Sequence, residues 1–222
     1  MLNILKTKLF RSSGNESKPE DYFVFVGHQN KRDWTNGVRL KISKIFIHPG
    51  WWTTTKLEHD ISILELTEKL DFKEKHSNVR CACRMKNTKK LIQDDCYIVG
   101  WGLTDYYNRS GKPQETDFLM EAKVQLLDDC GKDKNNKEDW TSWICTKRTP
   151  NLSASYVSFY LRIFYQNNKS IFLQGDSGGP LFCQVKNGKF VFAGVNSYLS
   201  NDQNGFGRIS AHLDFLKEHT GC

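Results

Sequence analysis

The sequence predicts an all-β fold, and three observations point to it. Short runs rich in β-branched and aromatic residues recur along the chain, Gly, Asn and Asp clusters separate them, and no strand alternates with a helix. The first candidate strand is Tyr22 to Val26, followed by Val38 to Ile47. Ile61 to Leu66, Cys96 to Trp101 and Lys123 to Leu126 come next. Pro180 to Val185 and Phe190 to Val195 are joined by Lys186-Asn187-Gly188-Lys189, where Asn187-Gly188 is expected to supply the positive φ angles of a tight hairpin turn. Gly205 to Ile209 is the last strand. A helix is expected only at the end, where Ala211, Phe215 and His219 fall four apart and Leu213 and Leu216 three apart. Such a pattern forms a barrel or sandwich closed by one terminal helix.

Composition narrows the function classes. The chain has 222 residues, of which 38% are hydrophobic, enough to bury a core in one domain. No apolar stretch is long enough to span a bilayer: the longest, Tyr156 to Tyr165, is interrupted by Ser158 and Arg162. The net charge of +7 is spread among alternating lysines and carboxylates rather than gathered into a basic stripe, so no nucleic-acid partner is expected. Cys81 and Cys83 are one residue apart with no His pair at ligand spacing, so no zinc-finger site, other metal site or cofactor is expected. Seven cysteines is an odd number, which in a secreted protein leaves one thiol free or paired outside the chain.

The segment that carries chemistry is Gly175-Asp176-Ser177-Gly178-Gly179-Pro180. A serine flanked by glycines presents its hydroxyl openly, and the small neighbours let backbone N–H groups turn toward a reacting carbonyl. These six residues resemble the nucleophile motif of the chymotrypsin-like (trypsin family) serine proteases. Other segments match in order: Phe46-Ile-His-Pro-Gly50, then Asp60-Ile-Ser-Ile-Leu-Glu-Leu66 as the strand of the buried aspartate. Cys96-Tyr-Ile-Val-Gly-Trp-Gly102 resembles the opening of the second barrel, and Ser197-Tyr198-Leu199 resembles the strand that pairs with substrate.

The resemblance covers roughly residues 22 to 221 and implies two six-stranded antiparallel β-barrels with a C-terminal α-helix. Within a single domain over 1–222, it assigns 11–95 to an incomplete first barrel, 96–210 to the second and 211–222 to the helix. It makes Ser177 the nucleophile, Asp60 the residue that orients the base, and the N–H groups of Gly175 and Ser177 the oxyanion hole. It pairs Cys96 with Cys183 and Cys130 with Cys145, and makes Cys83, or less readily Cys81, the inter-barrel cysteine that pairs with the activation peptide or another part of the chain, with Cys222 taking the one left over. Disulfides place the protein outside the cell, and the sequons at Asn15, Asn108, Asn151 and Asn168 agree. Polypeptide substrates are the implied partners, with a protein inhibitor as a further one.

Two features depart from the family. Its Ala-Ala-His-Cys segment, which carries the general base, does not occur, and the chain is expected to be N-terminally incomplete and to turn over negligibly. His59 is next to Asp60, but successive strand residues face opposite ways, so all six histidines are read as bystanders: His28 after a strand, His48 in a surface loop, His76 in a charged connection, His212 and His219 on the terminal helix. The second departure is length. Twenty-nine residues separate Cys145 from Gly175 where the family has about a dozen, and Val157 to Gln174 is rich in Phe, Tyr, Ile, Asn and Lys, residue types with AT-rich codons, while its end pairs Val-Ser and Leu-Gln can be written GTAAGT and TTGCAG. That stretch is expected to be a retained intron, with a real inserted lid as the alternative, and Met1 to Phe10 more weakly so. As written, Ile171 lies at the base of the substrate pocket. After removal of the stretch, Ser153 does. Neither selects Lys or Arg, and Leu199 at the mouth favours small to medium apolar side chains. The reading that competes with an enzyme is a secreted binding module that has kept the fold without catalysis.

Overall fold

The computed structural model describes residues 2–5, 18–33, 35–52, 58–83, 91–104, 114–128, 130, 141–147, 177–199 and 203–220. Two antiparallel sheets carry the fold. The first has four strands, β1 (Leu2–Leu5), β2 (Phe23–Val26), β3 (Val38–Ile47) and β4 (Ser62–Leu66), in the order β1-β4-β3-β2. Alternation decides β3: Leu40 and Ile42 are buried while Arg39 and Lys41 are exposed. β4 is buried on both faces. Leu64 packs with Ile42 on one, and Ile63 joins the larger core on the other. Residues 2–5, which the sequence reading leaves outside the family-like part, pair with β4 from Leu2 opposite Glu65 to Leu5 opposite Ser62.

The second sheet has six strands: β5 (Leu91–Gly100), β8 (Met120–Val124), β9 (Trp143–Lys147), β10 (Pro180–Val185), β11 (Phe190–Leu199) and β12 (Gln203–Arg208). Their order is β8-β5-β10-β11-β12-β9, and a small hairpin of β6 (Leu103–Thr104) and β7 (Gln114–Glu115) follows β5. The two edges meet: Leu126 bridges to Thr146, Leu127 N–H donates to the Cys145 carbonyl and Lys147 N–H donates to the Gln125 carbonyl, both at 2.9 Å. Pairing the chain just after β8 with β9 curls the sheet round on itself, which removes its open edges. Its interior is filled by Ile98, Val124, Ile144, Leu181, Ala193 and Phe206 around the Cys96–Cys183 disulfide. The Cys130–Cys145 disulfide ties the segment before β9 to that strand. Both pairings are those the family resemblance implies.

The expected β10–β11 turn forms with a different backbone. Gly188 has φ +79°, but Asn187 does not share the left-handed conformation. The Gly188 N–H instead donates to the Val185 carbonyl at 2.8 Å, and Val185 N–H donates to the Lys189 carbonyl at 2.9 Å. That is an ordinary turn followed by a glycine bulge, which needs only one residue at positive φ.

Helix α1 (Leu213–Thr220) closes the molecule with Asp214 in its first turn and Lys217 and His219 in its last, as the helix dipole favours. Its buried residues Phe215 and Leu216 join Ile61, Ile63, Phe192, Val195 and Ile209 in one cluster. That cluster fastens the first sheet, the second sheet and the helix together, and the chemistry-bearing residues gather at its edge.

Candidate active site

Asp60 lies just before β4 and is 1% exposed. The Ser197 hydroxyl, also buried, donates to Asp60 Oδ2 at 2.7 Å, although 137 residues separate the two. A bond this short to a buried carboxylate is charge-assisted, and it holds the carboxylate in one orientation. The strand β11 makes it possible. Its register against β12 shifts between Asn196 and Tyr198, and such an irregularity re-aims the side chain at that point.

The neighbouring residue, Asn196, holds the serine turn. Gly178 N–H donates to the Asn196 carbonyl and Asn196 N–H donates to the Gly179 carbonyl, each at 2.9 Å. Gly178 has φ +86°, a left-handed conformation that glycine adopts without strain. Ser177, immediately before it, is half-buried. Two consecutive residues of β11 therefore anchor the Ser177 turn through the backbone and Asp60 through a side chain. Tyr198 and Leu199 continue the same strand opposite Gly205 and Asn204. Gly175, Ile171 and Ser153 lie outside the described residues, as do the Val157 to Gln174 stretch, the four sequons and Cys222.

All six histidines are described, and each has identifiable neighbours. His28 stacks on Trp101 and meets Phe25 edge-on. Burial lowers its pKa against the opposing pull of Asp33. His76, in a charged connection, is fully buried, and its Nδ1 accepts the Asp71 N–H at 2.9 Å. His219 packs between Phe46 and Phe215. The other three meet one another. His48 and His59 stack at 4.3 Å, and His59 Nδ1 lies 3.3 Å from Nε2 of His212. His48 is thus half-buried rather than in a surface loop, and His212 is buried in the turn preceding α1 rather than on the helix.

Strand alternation does not set the direction of the His59 ring. His59 is not in a strand: β4 begins at Ser62, and His59 has φ +62°. The left-handed backbone, not strand alternation, sends its ring toward His48 and His212 while Asp60 turns to Ser197. No spacing in the sequence signals this cluster, since His59 and His212 are 153 residues apart.

A buried carboxylate and a glycine-framed serine carried by one strand, at the seam between two antiparallel sheets with a C-terminal helix, define a chymotrypsin-like architecture. The trypsin family model matches residues 13–214, and the chain belongs to that family. It is similar to the proclotting enzyme of Tachypleus tridentatus, 23% identical across 94% of this chain and 52% of that protein. It is also similar to chymotrypsin-C of Bos taurus, 24% identical across 89% of this chain and 68% of that protein. With granzyme B of Rattus norvegicus it shares 29% identity across 81% of this chain and 62% of that protein. The chain thus spans between about half and two thirds of these relatives' lengths.

Proposed function

We propose that this chain is a serine endopeptidase module that cleaves polypeptides through an acyl-enzyme, with Ser177 as nucleophile and Asp60 as orienter of the base. Ser177 Oγ attacks the scissile carbonyl carbon, its proton passes to a base, and the N–H groups of Gly175 and Ser177 receive the oxyanion. The leaving amine takes the proton, and water then releases the acyl group by the same route. The observation that carries this reading is the Asn196-Ser197 pair, which bonds the serine turn on one side and Asp60 on the other. The two disulfides support secretion, since such bridges persist in oxidising compartments.

This chain of 222 residues turns over very slowly. Each of its six histidines is engaged with aromatic rings, backbone or other imidazoles. Without a base, the residual contributions of the oxyanion hole and substrate binding leave kcat lower by about 10⁴ to 10⁶. Substrates with small to medium apolar side chains before the scissile bond are preferred, because neither Ile171 nor Ser153 offers a carboxylate to Lys or Arg.

A panel of chromogenic peptides with Ala, Val, Leu, Phe, Lys or Arg before the cleaved bond tests both statements. Weak hydrolysis confined to the apolar members and abolished by Ser177→Ala supports them. Rapid hydrolysis contradicts the proposed loss of the base, and preference for Lys or Arg contradicts the pocket. Binding of the peptides with no cleavage over days favours the binding-module reading, which the engagement of every histidine also favours.

A further inference from the structure

We propose that His48, His59 and His212 form a binding site for one divalent transition-metal ion of the zinc class. The three residues come from separate parts of the fold: the residue just after β3, the turn before β4, and the turn before α1. One ligand atom from each lies within 4.8 Å of the others. Zinc–nitrogen bonds of about 2.0–2.1 Å in tetrahedral geometry place two ligand nitrogens roughly 3.3–3.4 Å apart. His59 Nδ1 and His212 Nε2 stand 3.3 Å apart, a separation that is long for a hydrogen bond and right for two ligands of one ion.

The surroundings prepare the imidazoles for that role. His212 Nδ1–H donates to the Arg208 carbonyl at 2.8 Å, which leaves the lone pair on Nε2, the atom facing His59. A backbone carbonyl on the far nitrogen is the arrangement that fixes the tautomer and orientation of metal-binding histidines. Burial lowers the pKa of His212, opposed by the Arg208 carbonyl and reinforced by His59. Burial, with His59 and His212 beside it, holds His48 at about 4. The neutral imidazole is the form that ligates metal.

The backbone is also shaped around the cluster. His59 adopts φ +62°, unusual for a residue with a side chain, and such conformations concentrate at functional sites. Gly50 leaves the room: a Cβ there would approach His59 Cδ2 to 2.6 Å and His48 Nδ1 to 3.1 Å. His48 is the ligand that moves. Its Nδ1 accepts the Gly50 N–H at 3.0 Å and its ring lies parallel to that of His59, so binding turns it out of the stack. Three imidazoles leave a fourth position for water or an anion.

The test uses the full chain alkylated with iodoacetamide, because the exposed thiols of Cys81 and Cys83 would bind the same ions. Zinc titration followed by calorimetry reads stoichiometry and affinity, and cobalt(II) reads geometry from its visible absorption. One equivalent of zinc and an intense tetrahedral cobalt spectrum are expected. His59→Asn keeps a residue that tolerates the left-handed backbone but removes the imidazole, and is expected to weaken binding by at least about tenfold. His219→Ala, outside the cluster, leaves it unchanged, and a far-UV spectrum confirms that each variant is folded. No zinc binding, a weak octahedral cobalt spectrum, or undiminished affinity in His59→Asn overturns the proposal and leaves a hydrogen-bonded pair with a stacked neighbour.

Discussion

Replacing Ser197 by Ala removes one hydroxyl and tests how the buried Asp60 is held. Asp60 and Ser197 are 1% and 4% exposed, and the bond between them is 2.7 Å. A hydrogen bond to a charged group contributes about 1.5–3 kcal/mol, and burial means that water cannot readily take the place of the lost donor. The other interactions of Asp60 remain, so the loss is that of one bond rather than of an unpaired buried charge, which would cost about 3–5 kcal/mol. At about 2–4 °C per kcal/mol for a chain of this size, the melting temperature should fall by roughly 3–12 °C. Urea unfolding of the two proteins measures the difference, with the midpoint shifted and the slope unchanged. Combining Ser197→Ala with Asp60→Asn in a double-mutant cycle isolates the pair from the rest of the site. A loss below about 0.5 kcal/mol, the range of ordinary surface substitutions, would refute the reasoning, because it would mean that Asp60 does not depend on β11.

Two further predictions follow from the same structure. His48, held at about 4 mainly by burial, takes up a proton more readily unfolded than folded. Stability is therefore expected to be full above about 6.5, the ordinary histidine value, and to fall as pH drops toward 4. Melting temperatures of the chain and of His48→Leu across that window check this, the variant being expected to show the shallower decline. Removing the Cys96–Cys183 bridge as a pair of alanines opens a loop of 87 residues, and loop-closure entropy sets the expected loss at about 4–5 kcal/mol. Removing Cys130–Cys145, with a separation of 15, should cost about 3 kcal/mol. Urea midpoints giving the reverse order would contradict the loop-closure argument.

Local patterns in the sequence were the legible ones. β3 carries its alternation openly from Val38 to Ile42, and the six residues from Gly175 to Pro180 carry the family resemblance because they are consecutive. β9 was not legible. Trp143 to Thr146 are all buried, so no polar face marks the strand, and the cystine in its middle is completed by a residue 15 positions away. The polar start of β5, Gln93-Asp94-Asp95, hid its extension back to Leu91. The bond from Ser197 to Asp60 and the meeting of three histidines both join distant segments, so neither leaves a spacing to read. His59 shows the limit of a period-two argument. The ring and the Asp60 side chain do point different ways, but β4 begins three residues later, at Ser62, and the left-handed backbone of His59 separates them.

The chain presents a serine turn and a buried aspartate held by one strand, while its histidines are engaged elsewhere. Labelling of the full chain with a fluorophosphonate, with the modified residue located by mass spectrometry, tests it most directly, since this reagent needs both an aligned serine and an activating base. Labelling at Ser177 is expected to be slower than that of an active chymotrypsin-like enzyme by at least about 10³ and absent in Ser177→Ala. Labelling at the rate of the active enzyme would contradict it, as would modification of a different serine.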